Sequence, residues 1–146
     1  MRGVVASLLV CGLVLGACSS KKPDGFEARL EQALRSSAQA GGTLKMEDAT
    51  DFAWDTLHVV GPYVTAEEIH RQLGFEWSGA TNQDFDSHTL LIFTQGQKVV
   101  KHLDFPRGKG DFAEMSGKHF TREDARFLLK LDDGRIRVSP APPAAR

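Results

Sequence analysis

The sequence predicts an α+β fold: one antiparallel sheet of about four to six strands, with one or two helices packed on one face. Two observations predict the sheet. Apolar runs flank Gln95-Gly96-Gln97, and a second pair flanks Asp132-Asp133-Gly134, which is the pattern of two β-hairpins. A third observation predicts the helices. Two amphipathic segments with their own start and stop residues precede the hairpins, giving the order helix, strand, helix, hairpin, hairpin.

Each element has a local reason. Asp24 can cap the first helix, with Glu27 three residues on as the reciprocal partner of a capping box. Phe26, Leu30, Ala33, Leu34 and Ala38 then recur at helical spacing, and Gly41-Gly42 stops the run. Residues 43–47 alternate weakly and read as a short strand. Thr56-Leu57-His58-Val59-Val60 is a stronger strand, closed by Gly61-Pro62. Thr65 and Glu68 form a second capping box, opening a short helix with Ile69 and Leu73 inward. Gly74 supplies its left-handed stop, and Phe75 can fold back onto the last turn.

Residues 78–87 are polar and read as a loop. Residues 88–94 and 98–105 are the first hairpin, residues 106–110 a loop, and residues 121–124 a capped turn. Residues 126–131 and 135–138 are the second hairpin. Leu90, Ile92, Val99, Leu103, Phe127, Leu129 and Leu131 are the expected core. The face they share is left open, because residues 90–93 are apolar on both faces.

The start of the chain concerns location. Arg2 is followed by an apolar run over residues 4–15 and then by the small residues Gly16 and Ala17, the layout of a secretory signal. The run is short of the roughly 20 residues that span a bilayer. Leu15-Gly16-Ala17-Cys18 resembles the lipobox of bacterial lipoproteins. That resemblance implies cleavage before Cys18, a diacylglycerol on its thiol and often a third chain on the new amino group. Each buried CH₂ contributes roughly 0.8 kcal/mol, so two or more chains anchor stably where one does not. Ser19 and Ser20 follow with no Asp, which resembles the pattern sorted to the outer membrane, facing the periplasm, in a host with two membranes. The expected division is a signal peptide at 1–17, a lipidated tether at 18–23, one globular domain at 24–139 and a disordered alanine-proline tail at 140–146.

Removing the first 17 of the 146 residues leaves 129, enough for one domain and too few for two ordinary ones. Arg2 leaves with them, so 17 basic and 19 acidic residues remain, for a formal charge of −2. This balance gives no basis for nucleic-acid binding. Cys11 leaves with the signal and Cys18 carries lipid, so no internal disulfide is expected.

Candidate chemistry is sparse. No Gly-x-Ser-x-Gly elbow is present, and no thiol is left for nucleophilic work. His58, His88 and His102 fall on predicted strands and can converge on one face, with Asp86 or Asp104, to bind a metal; the competing reading is surface histidines. Asp84 and Asp86 suit a calcium ion but lack the later ligands of a calcium loop. Arg107-Gly108-Lys109-Gly110 is the anion-binding candidate, with Arg107 and Lys109 flanking flexible glycines. Trp54 and Tyr63 bracket the first strong strand and are interface candidates, with core packing the competing reading for Trp54.

Trp54-Asp55, Gly61-Pro62-Tyr63 and Leu73-Gly74-Phe75 resemble the pattern of a family of small bacterial proteins of uncharacterised activity, secreted or lipid-anchored. Leu91-Ile92-Phe93, Lys98-Val99-Val100, Phe105-Pro106-Arg107, Gly110-Asp111-Phe112 and residues 120–125 resemble its later blocks. The resemblance covers roughly residues 52–129 and implies no established activity. A looser analogy of size and element order exists to small outer-membrane assembly lipoproteins. The expectation is a lipid-anchored, non-enzymatic envelope protein without a cofactor, contacting another protein or the cell wall. The alternative is a small-anion or metal-ion binding module.

Overall fold

The computed structural model describes residues 25–143. The expected signal peptide, Cys18, the tether, the Asp24 cap and residues 144–146 lie outside them. The fold is α+β, with two antiparallel sheets instead of one and seven strands instead of four to six.

Helix α1 (Gly25–Gln39) buries Phe26, Leu30 and Leu34 on one stripe. A 15-residue helix is marginal alone in water. Burying each of these side chains contributes roughly 1.5–3 kcal/mol, so packing rather than propensity holds it. The Glu27 carboxylate takes a hydrogen bond from the Lys109 ammonium at 2.9 Å, which ties α1 to the 106–110 segment. Strand β1 (Thr43–Lys45) is shorter than expected, because Met46–Ala49 turns into a one-turn helix, α2, that buries Met46 and Ala49.

Strand β2 (Thr56–Val60) and helix α3 (Ala66–Leu73) fall where the sequence puts them. Thr65 and Glu68 form the capping box, and Gly74 closes α3 with a φ of +79°. Strands β3 (His88–Gln95) and β4 (Lys98–Pro106) are the first hairpin, turning at Gly96. A short strand, β5 (His119–Thr121), has no expected counterpart. Strands β6 (Arg126–Asp132) and β7 (Arg135–Pro140) are the second hairpin. Pro140 pairs with Phe127, and the Ala141 N–H bonds to the Arg126 carbonyl, so the expected disordered tail is ordered at its start.

The four-stranded sheet runs β4-β3-β2-β5 and the three-stranded sheet runs β1-β6-β7. Residues 90–93 are apolar on both faces because both faces are covered. Leu57, Val59, Leu91, Phe93, Leu103 and Phe105 face a large core shared with α1 and the smaller sheet. Val60, Leu90 and Ile92 face Ile69 and Leu73 of α3 in a second core. The helices therefore lie on opposite faces, not on one. The expected core divides accordingly: Leu103 and Phe127 belong to the first cluster, Leu90 and Ile92 to the second. Leu131 is 61% exposed and is not core, because it sits at the end of β6 beside the β6–β7 turn.

Gly110 sits where α1 meets the larger sheet. A Cβ there would stand 2.7 Å from Leu34 Cδ1 and 3.2 Å from Phe105 Cε1, both on buried side chains. Gly110→Ala is therefore expected to cost about 1–3 kcal/mol through overpacking. A urea midpoint matching the parent's would show that α1 yields freely at this contact.

Candidate functional site

Gly61-Pro62-Tyr63 turns the chain from β2 toward α3. Pro62 fixes its own φ. The Gly61 N–H donates to Ser116 Oγ at 2.9 Å, and a side chain on Gly61 would collide with that serine. Tyr63 then adopts a φ of +62°, left-handed backbone that costs a non-glycine residue about 1–2 kcal/mol. The conformation is held from outside. The Tyr63 N–H donates to the Gln83 carbonyl at 2.6 Å, and the Gln83 N–H donates to the Val64 carbonyl at 2.9 Å. The aromatic ring gains little from the fold, since Tyr63 is 71% exposed. Two residues beyond the Gln83 clamp, Phe85 is 76% exposed.

This turn and loop sit against the Arg107 segment. The Arg107 guanidinium donates twice to Asp111, at 2.9 Å each, and once to the Asp86 carbonyl at 2.8 Å. The hydrogen bonds to Asp111 raise the Arg107 pKa further. Burial works to raise the Asp111 carboxyl, but Arg107 and the Ala113 N–H hold it below the usual carboxylate range. Lys109 bonds both Glu27 and Glu31 at 2.9 Å, and those bonds raise its pKa. Both cations of the anion-binding candidate are thus engaged within the domain. Arg107 braces the 81–87 loop, and Lys109 ties the 106–110 segment to α1.

The three histidines of the metal candidate do not converge. His58 and His102 share a sheet face, but Ile92 lies between them in register. His88 is four residues farther along β3, near the other end of the hairpin. His102 instead packs against Trp77, ring centroids 5.0 Å apart. Among the described residues no three His, Cys, Asp or Glu side chains form a metal-ligand group. What does meet is His58 and His119, cross-strand partners with ring centroids 5.9 Å apart. His58 is buried, its Nε2 lies 3.3 Å from Thr94 Oγ1, and its Nδ1 has no hydrogen-bond partner. Burial, aided by His119, pushes its pKa down to about 4.

Trp54 is a core residue and not an interface one. It is 2% exposed, its Nε1–H donates to Thr50 Oγ1 at 3.0 Å, and its ring packs on Phe93. Of the two interface candidates only Tyr63 is on the surface.

Comparison with family models, with curated proteins and with solved structures finds no match for this chain.

The site therefore rests on its own geometry. Beside Tyr63 lies a cleft of about 400 Å³, lined by Asn82, Gln83, Asp84 and Phe85 of the loop, by His88 at the start of β3 and by Asp104 on β4. Asn82 and Gln83 are partly committed: Asn82 Oδ1 accepts from the Ala66 N–H, and Gln83 Nε2 donates to the Thr81 carbonyl. Among the described residues the carboxylates of Asp84 and Asp104 have no hydrogen-bond or ion-pair partner. Sequence reasoning missed Phe85. The available signal was a lone aromatic inside an otherwise polar loop, too long and too polar to bury it.

Proposed function

We propose that this protein is a lipid-anchored bacterial envelope module that binds a partner protein without catalysis, using the surface around Tyr63 and Phe85. The observation that carries the reading is Tyr63 itself. A large aromatic occupies a left-handed backbone position suited to glycine, yet is 71% exposed and adds little to the core. Backbone strain gathers at functional sites because the surrounding structure must hold it in place. Exposed, rigidly held aromatics supply large contact area at little entropic cost on binding. The loop beneath is braced by Arg107, so the surface is formed before any partner arrives. The anchor part of the proposal rests on Cys18 and on acyl-chain burial.

Two measurements test it. Cys18→Ala should move the protein from the membrane pellet to the supernatant; retention in the pellet sinks the anchor. In pull-downs from detergent-solubilised envelope, the parent should recover one reproducible protein. The double variant Tyr63→Gly, Phe85→Ala should recover at least ten-fold less. Its fold should be intact, since both rings are exposed and glycine suits the backbone at 63. Equal recovery by both proteins, or none by the parent, would overturn the contact surface.

A further inference from the structure

We infer that His58 and His119 hold one divalent transition-metal ion, of the zinc or copper type, between β2 and β5. The inference goes beyond the contact-surface reading and does not depend on it.

Backbone pairing brings the two rings together. His58 and His119 are register partners on antiparallel strands, and both side chains leave the sheet on the face that carries α3. The Val59 N–H donates to the Lys118 carbonyl, and the Val59 carbonyl accepts from the Gly117 N–H. The Asp55 carbonyl likewise accepts from the Arg122 N–H. His58 falls between these bonded positions, so it faces His119 at a non-hydrogen-bonded pair, where side chains stand closest. Gln72 of α3 donates to the Val59 and Lys118 carbonyls, at 3.2 and 3.3 Å, and fixes the two strands beside the pair. The ring centroids are 5.9 Å apart. An ion bound at about 2 Å to one nitrogen of each ring sets the centroids roughly 5–6.5 Å apart.

His58 is prepared as a ligand. Metal-bound imidazoles hold the ion through one nitrogen and donate the other N–H to a fixed acceptor. The Thr94 hydroxyl donates its one proton to the Thr56 carbonyl at 3.5 Å, so its oxygen accepts from His58 Nε2–H at 3.3 Å. That arrangement leaves a bare lone pair on Nδ1. His58 is only 7% exposed, and its Nδ1 is buried without a hydrogen-bond partner. A buried acceptor left unpaired costs free energy, and an ion on Nδ1 removes that cost. His119 lies on an edge strand and is exposed, so its ring can turn toward an ion shared with His58.

Imidazole nitrogen suits zinc and copper, whereas calcium and magnesium take oxygen ligands. Among the described residues no third His, Cys, Asp or Glu joins the pair, so water fills the remaining positions. Binding should therefore be micromolar, weaker than at a closed structural site.

The test titrates zinc chloride into the untagged, chelator-stripped full chain in detergent micelles, reading heat and the nitrogen NMR shifts of the imidazoles. One ion should bind per chain and move the His58 and His119 signals, with Nδ1 of His58 moving most. Calcium and magnesium chloride should do neither. At about a hundred times the dissociation constant, zinc should raise the melting temperature by several degrees. His119→Ala should weaken binding at least ten-fold with the fold intact, because the side chain is exposed at a sheet edge. His58→Gln should weaken it as much. The double variant His88→Gln, His102→Gln should bind zinc as the parent does, since Ile92 separates His102 from His58 and His88 lies farther along β3.

Any of three results would sink the inference: no heat or shift with zinc, equal affinity in His119→Ala, or loss of binding on replacing His88 and His102. Should His58→Gln fail to fold, His119→Ala decides alone. The pull-down reads Tyr63 and Phe85 and not this edge of the sheet, so either reading can fail while the other stands.

Discussion

Replacing Phe93 with alanine should destabilise the domain by roughly 3–5 kcal/mol, the range for deleting a fully buried phenylalanine ring. Phe93 is completely buried and stands at the centre of the aromatic core. Its ring meets Phe26 at 5.4 Å, Phe52 at 5.2 Å and Trp54 at 5.2 Å, each edge to face. Those partners come from α1 and the segment before β2, so removing one ring withdraws support from several elements together. A domain of this size should lose on the order of 10–25 °C in melting temperature. Phe93→Leu keeps most of the volume and should cost well under half as much. A Phe93→Ala protein melting within a few degrees of the parent would mean that the aromatic cluster collapses around the gap without loss.

Acid should remove a large share of the remaining stability through His58. Its folded pKa is pushed down to about 4 from an ordinary 6.5, first by burial and then by His119. The folded state thus binds the proton more weakly than the unfolded chain. The stability is fully present above pH 6.5 and is lost as pH falls from 6.5 through about 4. The loss is up to about 3 kcal/mol, an upper figure because His119 is exposed and its repulsion is screened.

Among the described residues, the surroundings of His58 offer no compensating anion. Strand β3 presents Thr94 and Ile92, and β5 presents His119. On the α3 side, Gln72 spends its amide on the carbonyls of Val59 and Lys118. The paired carboxylates act in a lower window. Glu31 and Asp111 have folded values below their ordinary 4.5 and 3.8, so their stabilisation is lost only as pH falls below those values. His58→Leu removes the titrating ring, so its urea midpoint should be nearly flat between pH 6.5 and 4.5 where the parent's declines. Parallel profiles for the two proteins would exonerate His58.

The local elements were readable because their signals are local. Thr65 and Glu68 are three residues apart, Gly74 follows the last apolar position of α3, and both hairpin turns carry glycine where positive φ is needed. What stayed hidden depends on residues distant in sequence. The run over residues 90–93 carries no alternation, and only its coverage from both sides explains that. Strand β5 is three residues long and exists because β2 offers a free edge, so no periodicity marks it. Missing β5 is why His58 was grouped with His88 and His102 instead of with His119.

The site divided along the same line. Tyr63 was legible from Gly61-Pro62, a local turn signal. Arg107 and Lys109 looked available because their partners lie at Asp111, Glu27 and Glu31, two of them some eighty residues away. Trp54 gave no sign of which side of the strand it would take, and the aromatic core decided it.

Strand β3 has a consequence for how the molecule comes apart. Its central residues are shared alternately between the two apolar clusters, Leu91 and Phe93 on one side and Leu90 and Ile92 on the other. Neither cluster has a wall of its own along this strand; they are two sides of a single partition. Cooperativity is built into that arrangement. Loosening α3 strips one side of the partition and exposes the strand that α1 and the smaller sheet lean on. The two halves should melt in one transition, and neither would survive excision of the other.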